Sequence, residues 1–270
     1  MSDLLAHVEA VWQAVVPDLP GFTVEVLPSI DSTSSELMRR ARAGLMEPVL
    51  LAADEQTAGR GRLGKGWHSK AGQSLTFSLA LPLAPADWSG LSLAVGVSLA
   101  ESLHPDVRLK WPNDLWLHQR KLGGILVETA SNGTSVGSAA THPRLVVVGV
   151  GINIARPETA VVSALDSPDA VLPAMAPAGL SEVLVGLTAG EALARVAPAL
   201  VRDIQAFESQ GFTAFAERFA RRDALQGQSV RLSDGTQGTA CGVSPQGALL
   251  VQTDQGMQAV TSSEVSVRPC

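Results

Sequence analysis

A glycine-rich basic segment, GRGRLGK at residues 59–65, lies between two apolar runs that each predict a buried strand. Two phosphate-binding patterns fit it, G-x-G-x-x-G and most of G-x-x-x-x-G-K-[ST], and both require a helix directly after the glycines. Here a polar stretch and a second strand follow, and Gly66 stands where the second pattern needs Ser or Thr. We therefore expect neither a P-loop nor a dinucleotide-binding fold. We expect a mobile loop that closes over an anion, with a flexible, exposed basic turn as the alternative.

The remaining sequence alternates helical and strand patterns. Helices are predicted over residues 4–16, 32–44, 91–103, 181–205 and 212–224. Strands are predicted over residues 21–30, 48–54, 73–83 and 144–154, and residues 107–130 predict a strand, a turn and a hairpin. Surface loops are predicted at 131–143 and 155–180. The pattern indicates an α+β fold with a central β-sheet in a domain over residues 1–224. Short β-like runs separated by turn signals predict a small β-barrel domain over 225–270.

Charge is distributed unevenly along the chain. The 270 residues carry a net charge of −6, yet residues 59–70 and 108–121 contain eight basic side chains and one acid, Asp114. The simplest interpretation is that these two basic stretches are solvent-exposed loops. Together with the glycines, the two stretches favour an anion site in an otherwise acidic protein, and such a protein is a poor general binder of nucleic acids.

Other compositional features exclude several classes of protein. No apolar run is long enough to span a membrane, and the N-terminus lacks the layout of a signal peptide. Two cysteines are too few for a disulfide scaffold, and the five scattered histidines show no zinc-binding spacing. We expect a cytoplasmic protein without a structural metal.

Four motifs occur in an order that resembles the biotin–protein ligases, or biotin–[acetyl-CoA-carboxylase] ligases. They are DSTSSE at 31–36, ADEQTAGRGRLGKGWHS at 53–69, LKWPNDLWLHQRKLGGILVE at 109–128 and GVGINI at 149–154. The resemblance covers nearly the whole chain and implies a central mixed sheet flanked by helices, like that of class II aminoacyl-tRNA synthetases, with an SH3-like C-terminal barrel. Only about thirty residues precede DSTSSE. A ligase-only type without the N-terminal DNA-binding domain is therefore expected.

The resemblance implies a two-step reaction. Biotin and ATP give biotinyl-AMP, and a lysine of a biotin carboxyl carrier protein then takes the biotin. Mg²⁺ would arrive with ATP, and we expect no DNA partner and no membrane partner. Whether the protein is a monomer or a homodimer stays open. The alternatives are a lipoate or octanoate ligase of related fold, or a non-catalytic biotin sensor.

The resemblance also implies site residues. Those expected to contact biotin are Ser32, Thr33, Ser34, Gln56, Gly59, Arg60, Gly61, Arg62, Lys121 and Gly124. Those expected to contact ATP are Arg62, Trp67, Lys110, Asn113 and Asn153, and those expected to be catalytic are Lys121, Arg62, Lys110 and Asp114.

Several of these residues also have an ordinary structural interpretation. The serines and threonine can cap a helix, with Thr33 and Glu36 at capping-box spacing. Lys121 can be a surface lysine of a hairpin. Arg60 and Arg62 alternate, so an extended backbone would direct both toward one ligand, holding first the carboxylate and then the phosphate. Asp114 could orient a lysine or a Mg²⁺ ion, and the sequence leaves both open.

Overall fold

The computed structural model describes residues 2–130, 143–157 and 176–261, together with the backbone of residues 267–269. Most of the two predicted surface loops, at 131–143 and 155–180, lies outside the described residues. Among the described residues, no helix has both the length and the apolar character that a bilayer crossing demands.

The N-terminal part of the chain, up to Ala220, contains both helices and strands. The helices are α1 (Asp3–Ala6), α2 (Val8–Val15), α3 (Thr33–Arg42), α4 (Leu91–Leu103), α5 (Ala189–Gln210) and α6 (Ala216–Ala220). The first nine strands are β1 (Thr23–Ile30), β2 (Val49–Gln56), β3 (Gly59–Arg60), β4 (Gly66–Trp67), β5 (Ser74–Leu83), β6 (Arg108–Lys110), β7 (Asp114–Leu117), β8 (Arg120–Ala130) and β9 (Arg144–Asn153).

Seven of these strands form one sheet in the order β1-β2-β5-β9-β8-β7-β6. The strands β1 and β2 pair in parallel, whereas every other neighbouring pair in this sheet is antiparallel. The predicted mixed central sheet is therefore confirmed. The short strands β3 and β4 form a separate hairpin, which contains the glycine-rich segment.

Helices cover both faces of the sheet because its strands alternate two sets of apolar side chains. Leu50 of β2 belongs to the large core shared with α2, α4 and α5, whereas its neighbour Leu51 belongs to the smaller core beneath α3. In β9, Val146 and Val148 face the large core, and Val147 faces the small one. Among the described residues, α3 is therefore the helix that covers this part of the sheet.

Three helix predictions differ from the structure. The helix predicted over 4–16 is two helices that meet at His7, because the Asp3 carboxylate accepts a hydrogen bond from Gly190 N at 2.6 Å and fixes α1 against α5. The helix predicted over 181–205 begins at Ala189, after Thr188. Thr188 and Glu191 form a reciprocal capping box, a signal that the sequence carries and the prediction overlooked. The helix predicted over 212–224 is a 3₁₀ turn, Phe212–Phe215, followed by the short α6.

The C-terminal part is a five-stranded antiparallel sheet. Its strands are β10 (Ser229–Leu232), β11 (Gln237–Val243), β12 (Leu249–Thr253), β13 (Gly256–Val260) and β14 (Val267–Pro269), in the order β13-β12-β11-β10-β14. The predicted small β domain is confirmed as an antiparallel sheet, but within the described residues it does not close into a barrel.

The C-terminal sheet is attached to the strand β6 of the large sheet. The connecting chain pairs with Leu109, whose N–H donates to Arg222 O at 2.8 Å and whose carbonyl accepts from Ala224 N at 2.9 Å. The buried Trp111 donates from Nε1 to Gly247 O, in the β11–β12 turn, at 3.0 Å. These bonds fix the C-terminal sheet beside the segment that contains KWPND.

We predict that Asp223→Asn stabilises the protein at neutral pH. Burial raises the pKa of Asp223, and its buried Oδ2 has no hydrogen-bond partner among the described residues. The carboxylate therefore costs stability as pH rises from the ordinary pKa through the raised one, and the amide should remove that cost. Urea unfolding should give a gain of about 1 kcal/mol for the variant at pH 7, and none well below pH 3.8. An equal gain at both pH values would contradict this account.

Candidate active site

A cavity of about 200 Å³ opens where α3 begins, between the strands β8 and β9 and the β3–β4 hairpin. Its polar and charged lining comes from distant parts of the sequence: Ser32, Thr33, Ser34, Gln56, Arg60, Arg62, Lys65, Lys110, Asn113, Asp114 and Lys121. Its apolar lining includes Trp67, Phe77, Ile125, Leu126 and Val150. One end of the cavity is therefore polar and neutral, and the other is cationic.

Glycines in β9 create the space for this cavity. On the face that α3 covers, β9 presents Val147 to the core and then two glycines toward the cavity. A Cβ on Gly149 would lie 2.2 Å from Ser34 Oγ, and one on Gly151 would lie 2.4 Å from the Trp67 ring. The GVGINI motif therefore leaves room for a hydroxyl at the start of α3 and for an indole from the hairpin.

The neutral end is a network of hydroxyls and one amide. Gln56 Oε1 accepts from Thr33 N at 2.7 Å and from Thr33 Oγ1 at 3.1 Å. The buried hydroxyl of Ser78 lies 2.8 Å from Thr33 Oγ1 and 2.9 Å from Ser34 Oγ. Ser32 caps α3, with its Oγ accepting from Ser35 N at 3.3 Å. The capping box expected between Thr33 and Glu36 is therefore not formed, because Thr33 is already inside the helix and turned toward the cavity.

Five of the eight basic residues in the two charged stretches line the cavity: Arg60, Arg62, Lys65, Lys110 and Lys121. The others point elsewhere. Arg120 pairs with Glu182, and Arg108 donates to the carbonyl of Arg221. Asp114 is the only carboxylate among the described residues of the lining. The predicted convergence of positive side chains from two distant segments is thus present, with fewer members than the sequence count suggested.

Asp114 arranges two of the lysines. Its Oδ1 accepts from Lys121 Nζ at 2.7 Å, and its Oδ2 lies 3.8 Å from Lys110 Nζ. Lys110 also lies 5.3 Å from the centre of the Trp116 ring, a cation–π distance. Gly124 faces this pair, since a Cβ there would lie 3.6 Å from Lys121 Nζ. Of the two roles open to Asp114, the structure shows the orientation of lysines.

The side chain of Arg62 is partly withdrawn from water. Burial lowers its pKa, and the charge of Asp114 opposes that shift. Its guanidinium donates to Asn113 Oδ1 at 3.4 Å. Asn113 in turn donates from Nδ2 to Ile125 O at 2.7 Å, and its carbonyl accepts from Ile125 N at 3.0 Å. These bonds fix the turn of KWPND to β8, and the side-chain oxygen of Asn113 faces Arg62.

Comparison with known proteins agrees with this geometry. Residues 26–153 match the model of the biotin/lipoate A/B protein ligase family, and residues 226–268 match that of the biotin protein ligase C-terminal domain. The chain is 34% identical over 265 residues to the bifunctional ligase/repressor BirA of Escherichia coli, covering 94% of this chain and 77% of the relative. It is 31% identical over 256 residues to the biotin–[acetyl-CoA-carboxylase] ligase of Paracoccus denitrificans, covering 89% and 98%.

The chain belongs to the biotin protein ligase family. A solved structure, biotin protein ligase from Aquifex aeolicus in complex with biotin and ATP, superposes with a TM-score of 0.70 and 27% identity. That alignment covers 92% of this chain and 99% of the other.

Two residues that a biotin protein ligase was expected to use lie outside the lining. Gly59 is buried in the hairpin, where a Cβ would lie 2.4 Å from Trp67 O, so its role in the structure is the β3–β4 pairing. Asn153 is buried and donates from Nδ2 to Ala178 O at 3.0 Å. The other predicted residues all line the cavity. Their contacts with biotin and ATP remain predictions.

Sequence reasoning missed two polar residues at or beside the site. Ser78 links Thr33 and Ser34, and a serine within the apolar run LTFSLAL was its only signal. Glu128 accepts from Arg60 at 2.8 Å and was overlooked as the last residue of KLGGILVE. Across the described residues, no group of three His, Cys, Asp or Glu side chains is arranged to hold a metal ion.

We predict that the adjacent glycines of KLGG tolerate alanine differently. A Cβ on Gly123 would lie 2.4 Å from the carbonyl oxygen of Gly151, which cannot move without displacing β9. Gly123→Ala should therefore lower the free energy of unfolding by about 2 kcal/mol. The matched control is Gly124→Ala, whose Cβ meets only ordinary contacts, 3.6 Å or longer. Urea unfolding compares them, and equal stabilities would show that the β8–β9 contact does not limit the site.

Proposed function

We propose that this protein activates biotin with ATP to biotinyl-5′-AMP and transfers the biotin to a lysine of a biotin carboxyl carrier protein. The observation that supports this most is the cavity, which joins a neutral hydrogen-bonding end to a cationic end in a member of the biotin protein ligase family. The relative whose structure contains biotin and ATP has the same fold.

The neutral end suits the ureido ring of biotin. A ureido group presents two N–H donors and one carbonyl acceptor, which hydroxyls of Ser32, Thr33 and Ser34 can pair with in either direction. Gln56 Oε1 is occupied by Thr33, so its Nε2 hydrogens are the groups that would face the ureido carbonyl. A lipoyl or octanoyl chain would offer no acceptor to the Nε2 hydrogens of Gln56, and a donor left unpaired in this way costs about 1–3 kcal/mol. The neutral end therefore favours biotin over lipoate or octanoate.

The cationic end suits the chemistry of the first step. The biotin carboxylate oxygen attacks the α-phosphorus of ATP, the bond to the bridging oxygen breaks, and pyrophosphate leaves. Two unit charges 4 Å apart repel by about 4 kcal/mol at an effective dielectric constant of 20. Arg62, Lys110 and Lys121 would offset that repulsion and stabilise the charge that develops on the phosphoryl oxygens. No protein nucleophile is required.

The second step also uses charge stabilisation. The amine of the acceptor lysine attacks the carbonyl carbon of the mixed anhydride, the bond to the phosphate oxygen breaks, and AMP leaves with the electron pair while the amine loses a proton. Lys121 is half-exposed, at 48%, and held by Asp114 at the edge of the cavity. It can therefore contact the carbonyl oxygen as charge develops there.

Mg²⁺ is proposed to enter with ATP. Mg²⁺ is commonly held by one or two carboxylates together with substrate phosphates. Asp114, the one carboxylate of the described lining, fits that mode, and the ion would supply further positive charge at the phosphates. We also infer a cytoplasmic protein that acts on a carrier protein and does not bind DNA, in keeping with its net charge of −6.

The function is tested by pyrophosphate exchange into ATP with biotin, lipoate or octanoate as the acid. We expect exchange with biotin and Mg-ATP. With the other acids we expect at least about a hundredfold less, because their chains cannot form hydrogen bonds with the neutral end of the cavity. Exchange with lipoate or octanoate alone would establish the related ligase activity instead. Tight binding of biotin without exchange would indicate a biotin sensor.

We predict that Lys121→Ala lowers the rate of biotinyl-AMP formation by about 100-fold or more, because a cation that contacts the developing charge is lost. The control is Lys70→Ala, an exposed lysine that does not line the cavity. Unfolding curves should be nearly unchanged for both variants. A near-normal rate for Lys121→Ala would contradict the role assigned to Lys121.

A further inference from the structure

The side chain of Arg60 joins three separate elements beside the cavity. Its backbone belongs to the β3–β4 hairpin, where Arg60 pairs with Gly66. Its guanidinium donates from one nitrogen to Ser35 Oγ, in the first turn of α3, at 3.1 Å. The other terminal nitrogen donates to Glu128 Oε1, on β8, at 2.8 Å. The glycine-rich segment is thereby attached both to the helix at the neutral end and to the sheet.

Two backbone bonds attach the chain just before this hairpin, from Thr57 N to Ile30 O and from Ala58 N to Asp31 O, each at 2.9 Å. Within the hairpin, Gly61 N donates to Lys65 O at 2.7 Å, which shapes the turn but does not attach it. The bond from Arg62 to Asn113 is long, at 3.4 Å. Trp67 packs on Gly151, but its Nε1 has no hydrogen-bond partner among the described residues. The ion pair of Arg60, at 2.8 Å, is therefore a short polar attachment of the hairpin to the strand β8.

Glu128 is placed to serve Arg60. Its side chain is only 23% exposed, and its Oε2 is buried without a partner among the described residues. A carboxylate beside a site that binds anions opposes binding unless its charge is paired. Because Glu128 neutralises Arg60, the positive charge available to an anionic ligand comes from the other cations of the cavity.

From this geometry we propose that Glu128 is a positioning residue. Through Arg60 and with Ser35, it holds the β3–β4 hairpin closed over the cavity, so that the activated intermediate stays bound until an acceptor lysine arrives. Arg60 then has a different part from Arg62: it fastens the hairpin, whereas Arg62 faces the ligand. This differs from the sequence prediction, in which both arginines hold the biotin carboxylate and phosphate. The inference rests on the proposed function for its ligand, but not for its contacts.

The expected strength of the Arg60–Glu128 ion pair suits a contact that must break in every catalytic cycle. Partly exposed ion pairs contribute about 0–1 kcal/mol. A fastening of that size can be broken thermally when the carrier protein needs access. Its loss should change the retention of the intermediate several-fold, without abolishing the fold or the chemistry.

The test compares Glu128→Gln with Glu25→Gln in the full-length protein. Glu25 also pairs with an arginine, Arg40, and is 39% exposed, but that pair does not involve the β3–β4 hairpin. In Mg-ATP and biotin without carrier protein, the ratio of released to enzyme-bound biotinyl-AMP is measured after rapid filtration. Glu128→Gln should raise that ratio about 3–5-fold, the equivalent of a loss near 1 kcal/mol. Glu25→Gln should leave it unchanged.

A second measurement does not depend on activity. Hydrogen exchange of the backbone amides of residues 59–67, without ligands, should be faster in Glu128→Gln than in wild type. The double variant Arg60→Gln with Glu128→Gln should exchange no faster than Arg60→Gln alone, because Glu128 acts through Arg60. Unchanged exchange together with an unchanged ratio of released adenylate would overturn the proposal. If wild type forms no adenylate, the proposed function fails, and hydrogen exchange alone still decides whether Glu128 fastens the hairpin.

Discussion

Repulsion between two anions is the constraint on which the rest of the site depends. A carboxylate can attack a triphosphate only where positive charge surrounds both, and the protein as a whole carries a net charge of −6. The fold brings cations together from the β3–β4 hairpin and from the β6–β8 region, more than forty residues apart in sequence. Asp114 orients two of them, and Glu128 neutralises a third. The site therefore contains selected positive charges in fixed positions, rather than a general excess.

Strand glycines make that arrangement possible. The sheet is packed on both faces where its strands carry apolar side chains, and at the site it opens where glycines replace them. Gly149 and Gly151 leave space for the Ser34 hydroxyl and the Trp67 ring, and Gly123 lets β8 approach β9. The C-terminal sheet contributes at a distance, since Trp111, next to Lys110 in sequence, donates to a carbonyl of its β11–β12 turn. The cationic segment is thus supported from both sides.

Much of this could be predicted from the sequence. Apolar periodicity predicted most of the strands and helices, and the order of the motifs predicted the family, the mixed sheet and most of the polar lining of the cavity. The side chains that hold others in place could not be predicted. Ser78 and Glu128 act through partners 44 or more residues away, and no local pattern encodes such a pairing. The same limit explains why the sequence overestimates the number of cations in the site. Arg108 and Arg120 lie in the same basic stretch as Lys110 and Lys121, but their side chains bond outside the site. The boundaries 1–224 and 225–270 remain a prediction.

The central claim, that cations from two segments meet the reacting anions, is tested most directly by a crystal structure with a stable analogue of biotinyl-5′-AMP. The account predicts side-chain nitrogens of Arg62, Lys110 and Lys121 within about 3 Å of the acyl or phosphoryl oxygens. The ring of biotin should lie against Ser32, Thr33 and Ser34. An analogue bound in this cavity with all three nitrogens farther than about 6 Å from those oxygens would contradict the account.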